Sequence, residues 1–120
     1  MMKNLKEQIQ TVVEIYKSGN LLKAELLNEK LINSNPKTAF LYNLMGIILT
    51  GQKNFDKALA YLEKGLKIDP SFAMIYNNLG LLYFNNKPKN NVKKIENYYK
   101  KAISIDEKSP EPHNNLGNLY

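Results

Sequence analysis

Apolar residues along the chain recur at helical spacing in blocks, and each block is closed by a break rich in Gly, Asn or Pro. Tyr42, Met45 and Leu49 stand at i, i+3 and i+7, one face of a helix, with Gly46 on the flank of that stripe. A small residue there lets a second helix come close. After the break at Gly51-Gln52-Lys53-Asn54, a second apolar set of Phe55, Ala58, Leu62, Gly65 and Leu66 resumes helical spacing until Asp69-Pro70 stops it. The unit predicted is a pair of helices, A and B.

That unit repeats. Ala24 to Ala58, Pro36 to Pro70 and Gly46 to Gly80 are each 34 residues apart, so three independent landmarks share one period, the mark of a stacked array. The first copy spans about 5–38, turns at Ser18-Gly19-Asn20 and carries Leu21, Ala24, Leu27 and Leu31 on its second helix. It has Val12 where the Gly falls and Gln8 at the first aromatic position, which fits either a polar terminal cap or simple divergence. The second copy spans 39–72. In the third, 73–109, the later landmarks arrive late: Gly65 to Ala102 and Gly80 to Gly117 are each 37 residues, which assigns three extra residues to the polar stretch Asn85 to Asn91. A fourth copy, 110–120, sets out Leu116, Gly117 and Tyr120 but no second helix; it reads as part of a longer array or as a capping helix, and the apolar Leu119 and Tyr120 favour the former. One all-α solenoid domain over 1–120 is the expectation.

With Tyr42, Met45, Gly46, Leu49, Ala58, Leu62, Gly65 and Pro70 in one copy, and Tyr76, Leu79, Gly80, Tyr83, Tyr99 and Ala102 in the next, the chain resembles the tetratricopeptide repeat (TPR) family. It departs at Ile95, where the family has a small residue, and at Glu107, where the closing Pro is lost. The resemblance implies a right-handed superhelix of antiparallel helix pairs whose A helices line a concave, commonly peptide-binding groove. Beside the packing stripe, helix A carries a second one: Ile9, Val13 and Tyr16; then Asn43, Ile47 and Thr50; then Asn77, Leu81 and Phe84; then Asn114 and Asn118. On the implied fold these face the groove, where an Asn amide can pair with both groups of a peptide unit. Next to them, Asn78 and Asn115 stand where the positions resemble the asparagine ladder of the TPR superhelix of O-linked N-acetylglucosamine transferase, a ladder that Leu44 interrupts. The positions matching the carboxylate clamp of chaperone-binding TPR domains read Ile9, Val13, Leu44, Met74 and Asn78, without the basic residues such a clamp needs.

Composition changes this picture only by exclusion. There is no Cys and one His, so thiol nucleophiles, triads and multi-His metal sites lack their parts, no Gly-rich phosphate loop is present, and no cofactor or catalytic residue is assigned. His113 stands at the packing position of Tyr42 and Tyr76, and the pair Glu25 and Glu29 reads as a solvated face. The net charge is +6, but every basic residue is Lys, and lack of Arg counts against nucleic acid. Residues 39–51, 73–84 and 110–120 contain no Lys, whereas Lys57, Lys64, Lys67, Lys93, Lys94, Lys100 and Lys101 lie on B helices and would coat the convex back. No signal peptide or membrane span is readable, which with the missing Cys suits the cytoplasm.

The expected function is a protein-interaction scaffold, not an enzyme, that binds a peptide or partner segment in its concave groove through Asn43, Ile47, Asn77, Asn78, Leu81, Phe84, Asn114, Asn115 and Asn118. The alternative is the substrate-recognition arm of a larger enzyme, glycosyltransferase-like or sulfotransferase-like, with catalysis beyond residue 120. Self-association through the open C-terminal end is a third reading.

Overall fold

The structure, a computed structural model, describes residues 3–120. Among the described residues it forms seven α-helices and no strand: α1 (Leu5–Lys17), α2 (Leu21–Ser34), α3 (Ala39–Gly51), α4 (Phe55–Ile68), α5 (Ala73–Asn86), α6 (Val92–Ile105) and α7 (Pro110–Leu119). Local chemistry sets several of the ends. The side chains of Asn4 and Asn20 accept from the backbone N–H groups of Glu7 and Lys23, at 2.8 and 3.2 Å, capping α1 and α2. The A-to-B turn needs a left-handed residue, supplied by Gly19 (φ 92°) in the first pair and by Lys53 (φ 62°) at the same register in the second. Of the three extra residues in the third copy, one lengthens α5 to 14 residues against 13 for α3; the linker is 87–91 in place of 52–54.

The stack is elongated, 49 × 26 × 22 Å. Each helix packs on its sequence neighbours, and α3 also packs on α5 and α5 on α7, while no two B helices come together to that extent among the described residues. With A helices touching and B helices splayed, the stack curves with the A helices inside.

Within each pair, one residue of helix A and one of helix B share a fixed volume. A Cβ on Gly46 would collide with the Leu62 side chain, and one on Gly80 would lie 2.5 Å from the Tyr99 ring. In the first pair the same two positions hold Val12 and Asn28, a larger residue on A and a smaller one on B, both buried. Asn28 donates through Nδ2 to the Leu41 carbonyl at 2.9 Å, tying α2 to α3, and its Oδ1 has no partner. Sequence patterning gives no sign of this buried amide, because polar residues are the default for a solvated face.

Three junctions between pairs are latched in the same way. Tyr42 Oη donates to the Pro36 carbonyl at 2.7 Å, Tyr76 Oη to the Pro70 carbonyl at 3.0 Å, and His113 Nε2–H to the Glu107 carbonyl at 2.9 Å, each six residues back. His113 is exposed, so it keeps the latch of the tyrosines without their burial. Neighbouring A helices are joined by paired amides: Asn78 Nδ2 donates to Asn43 Oδ1 at 2.7 Å, and Asn115 Nδ2 to Asn77 Oδ1 at 2.8 Å. On the outer side, the Glu25 carboxylate accepts from Gln52 Nε2 at 2.9 Å and Lys57 Nζ at 3.1 Å. These donors, Gln52 foremost, hold its carboxyl below the ordinary range, so Glu25 clips the first pair to the second and is no plain solvated face.

The two ends differ. Where α3 and α5 bury Leu41, Leu44, Ile48 and Ile75, Asn78, Leu82 against the preceding pair, α1 turns Glu7, Gln10 and Glu14 at the same register to water. On α7, Leu116 and Leu119 are half-buried and a Cβ on Gly117 would meet nothing, and Tyr120, just after the helix, is 78% exposed.

Gly80→Ala is therefore expected to cost about 1–3 kcal/mol, because the Tyr99 ring is rigid, whereas Gly117→Ala should be neutral or raise stability by up to about 1 kcal/mol through helix propensity. Urea unfolding midpoints check both. Asn78→Ala leaves the buried Asn43 acceptor unpaired and should cost about 1–3 kcal/mol in the same assay. Burial pushes the Tyr99 phenol up to about 12. The unfolded phenol ionises near its ordinary value, so this group's contribution is complete below that value and is lost as pH rises from it towards the native one. Tyr99→Phe should flatten the alkaline fall in stability by on the order of 1 kcal/mol in pH-dependent unfolding.

Candidate functional site

The inner wall carries no Lys on 39–51, 73–84 or 110–120, and its chemistry is set by amides, apolar side chains and one tyrosine. Three A helices meet at a cleft of about 220 Å³: α1 contributes Tyr16, α3 contributes Ile47 and Thr50, and α5 contributes Asn78, Leu81 and Asn85. Ile47 and Leu81 are half-buried. Thr50, also in the lining, donates its hydroxyl to the Gly46 carbonyl of its own helix at 2.7 Å. The lining is uncharged and mixes apolar surface with amide dipoles, so it can hold a neutral segment and offers a carboxylate no cationic partner.

Eight of the nine residues expected in the groove fall into three environments, and the ninth, Asn115, is half-buried as the amide donor from α7 to α5. Ile47, Asn78 and Leu81 come together in the cleft. Asn43 and Asn77 are 5% and 1% exposed, and the side-chain oxygen of each accepts from an Asn of the next pair, Asn78 and Asn115 respectively. These amides hold the curvature of the wall before they can touch anything else. Phe84, Asn114 and Asn118 are exposed and lie outside the cleft lining. Asn85 is a lining residue that the sequence reading passed over as part of the loop insertion; its position four residues after Leu81 is the signal that continues the stripe.

The outer face has the opposite character. Lys57, Lys64, Lys67, Lys93, Lys94, Lys100 and Lys101 are all exposed on α4 and α6. Several lie over aromatic rings: Lys94 Nζ is 4.4 Å from the Tyr83 centroid and Lys64 Nζ 5.6 Å from that of Tyr61. Tyr83 in turn stacks on Tyr98 with centroids 5.9 Å apart. Glu96 accepts from Lys93 and Lys100 at 3.2 and 3.3 Å, and these two ammonium groups hold its carboxyl below the ordinary range. No group of three His, Asp or Glu side chains with metal-binding geometry occurs among the described residues. No described helix is long and apolar enough to cross a membrane.

Comparison with known proteins places this geometry. Residues 46–87 match a family model described as TPR repeat. The chain is 28% identical over 92 residues to photosystem I assembly protein Ycf3 of Prochlorococcus marinus (strain NATL1A), covering 74% of this chain and 51% of the relative. It is 30% identical over 90 residues to uncharacterized protein ycf37 of Pyropia yezoensis, covering 73% of this chain and 48% of that one. The chain thus spans about half the length of the curated relatives it matches. Among solved structures, the first TPR of Spaghetti (RPAP3) bound to the HSP90 peptide SRMEEVD superposes with a TM-score of 0.81 at 15% identity, over 93% of this chain and 86% of that one. The helix pairs, their period, the Gly-centred packing and these matches together identify the chain as an all-α solenoid of tetratricopeptide repeats.

Proposed function

We propose that this chain is a protein-interaction scaffold that holds an extended, uncharged partner segment along its inner wall and seats one apolar side chain in the cleft between Ile47 and Leu81. The observation that carries this reading is the cleft itself, built by three A helices, lined by apolar and amide groups and free of charge. A solved TPR domain of the same fold holds a peptide, which supports the mode of binding, but that peptide, SRMEEVD, is acidic and the cleft here has no lysine in its lining to receive it. The relative named as a photosystem I assembly protein extends the proposal to a role in assembling larger complexes. No catalytic step is assigned to residues 3–120, and the absence of Cys suits a cytoplasmic setting. Head-to-tail stacking of copies is not part of the proposal, since Glu7, Gln10 and Glu14 give the apolar C-terminal end no matching surface.

Asn78 and Asn115 are poor probes of binding because they also hold the helices together. Peptides selected from a random display library on the purified protein should instead be measured against Ile47→Lys and Leu81→Lys. Each substitution sets a charge in the cleft and should weaken binding at least ~10-fold, with helicity unchanged by circular dichroism. Lys100→Glu with Lys101→Glu, on the outer face, should leave affinity unaltered. Selected peptides that ignore the cleft variants but lose binding on the outer-face change would refute the groove reading.

A further inference from the structure

Away from the inner wall, the first helix pair holds an apolar recess of about 190 Å³ between α1 and α2. Its floor is Val12, Leu27 and Leu31; Val12 is 1% and Leu31 8% exposed. Its rim carries Gln8, Lys3 and Lys30, all exposed. The repeat register explains why the recess exists. Gln8 stands where the next two pairs have Tyr42 and Tyr76, Leu27 where they have Tyr61 and Tyr98, and Lys30 where they have Lys64 and Lys101.

In those pairs a tyrosine ring fills the corresponding seat. The Tyr42 centroid lies 6.2 Å from that of Tyr61, and Lys101 Nζ lies 5.9 Å from the Tyr76 centroid. In the first pair the seat and its lysine are kept and the ring is missing. An apolar cavity of about 150 Å³ suffices for a benzene ring, so this one has room for a phenol. Among the described residues the lining also contains two ammonium groups, those of Lys3 and Lys30, and no carboxylate. Lys3 reaches across the recess to Thr11 Oγ1 at 3.4 Å.

We infer that this recess is a second binding site, which takes a Phe or Tyr ring from a partner protein where that ring is flanked by acidic residues. The ring replaces the absent tyrosine against Leu27 and Leu31, Lys30 covers its face as Lys101 covers Tyr76, and the flanking carboxylates meet Lys3 and Lys30. Such a site differs in chemistry from the neutral inner cleft and lies outside its lining, so one partner chain can engage both.

The test is a nitrogen-15 amide titration with the probe acetyl-Glu-Tyr-Glu-amide. Shifts centred on Val12, Leu27 and Leu31 are expected, weakening as salt rises, with acetyl-Glu-Ala-Glu-amide binding at least ~10-fold more weakly. Gln8→Tyr returns the ring to its seat; it should raise the thermal midpoint and abolish the tripeptide shifts while cleft-selected peptides still bind. Lys30→Glu, an exposed change that spares the fold, should weaken the tripeptide ~5-fold or more. Shifts that are absent, or that persist in Gln8→Tyr, overturn the inference. Saturation by 4-hydroxyphenylacetate without response to the tripeptide overturns the partner assignment in favour of a free aromatic acid.

Discussion

The structure depends on a volume held constant where helix A crosses helix B. Gly46 with Leu62, Gly80 with Tyr99 and Val12 with Asn28 are three ways of filling the same space, and each fixes how far one helix can slide along the other. Because interiors pack at crystal-like density, that local fit propagates: the angle within a pair sets where the next A helix lands. Amide pairs between A helices and carbonyl latches between pairs then secure a geometry already decided by size.

A wall made this way has consequences for recognition. Its amides are partly committed to each other, which fixes their orientation and leaves the apolar residues between them, Ile47 and Leu81, as the free variables of the surface. The lysines of α4 and α6 lie on the back, where they solvate the convex face and cover tyrosine rings. An uncharged cleft on the inner side and lysine-bearing α4 and α6 on the outer side are therefore two faces of one charge arrangement.

Much of the architecture was legible in the chain because periodicity reports packing directly. The 34-residue period, the helix pairs and the role of Gly46 and Gly80 all follow from apolar spacing, and the structure agrees with each. The site was less legible. Asn43 and Asn77 share the groove stripe with Ile47 and Leu81, yet a helix face does not reveal that an Asn one repeat away will reach back and bury them. Asn28 was hidden for a related reason, since its partner, the Leu41 carbonyl, belongs to the next pair. Glu25 looked like surface until the helices placed Gln52 and Lys57 beside it. In each case the missing information is a contact between repeats, which no single-helix pattern contains.

The latch between pairs addresses a backbone oxygen and not a side chain. Pro36, Pro70 and Glu107 are interchangeable as acceptors, and tyrosine or histidine serves as donor. A joint that reads only the main chain places almost no demand on the identity of the segment it fastens. The latch therefore tolerates change in the segment it fastens, and the choice of which pair follows which is left to the side-chain contacts beside it, the amide pairs between A helices above all.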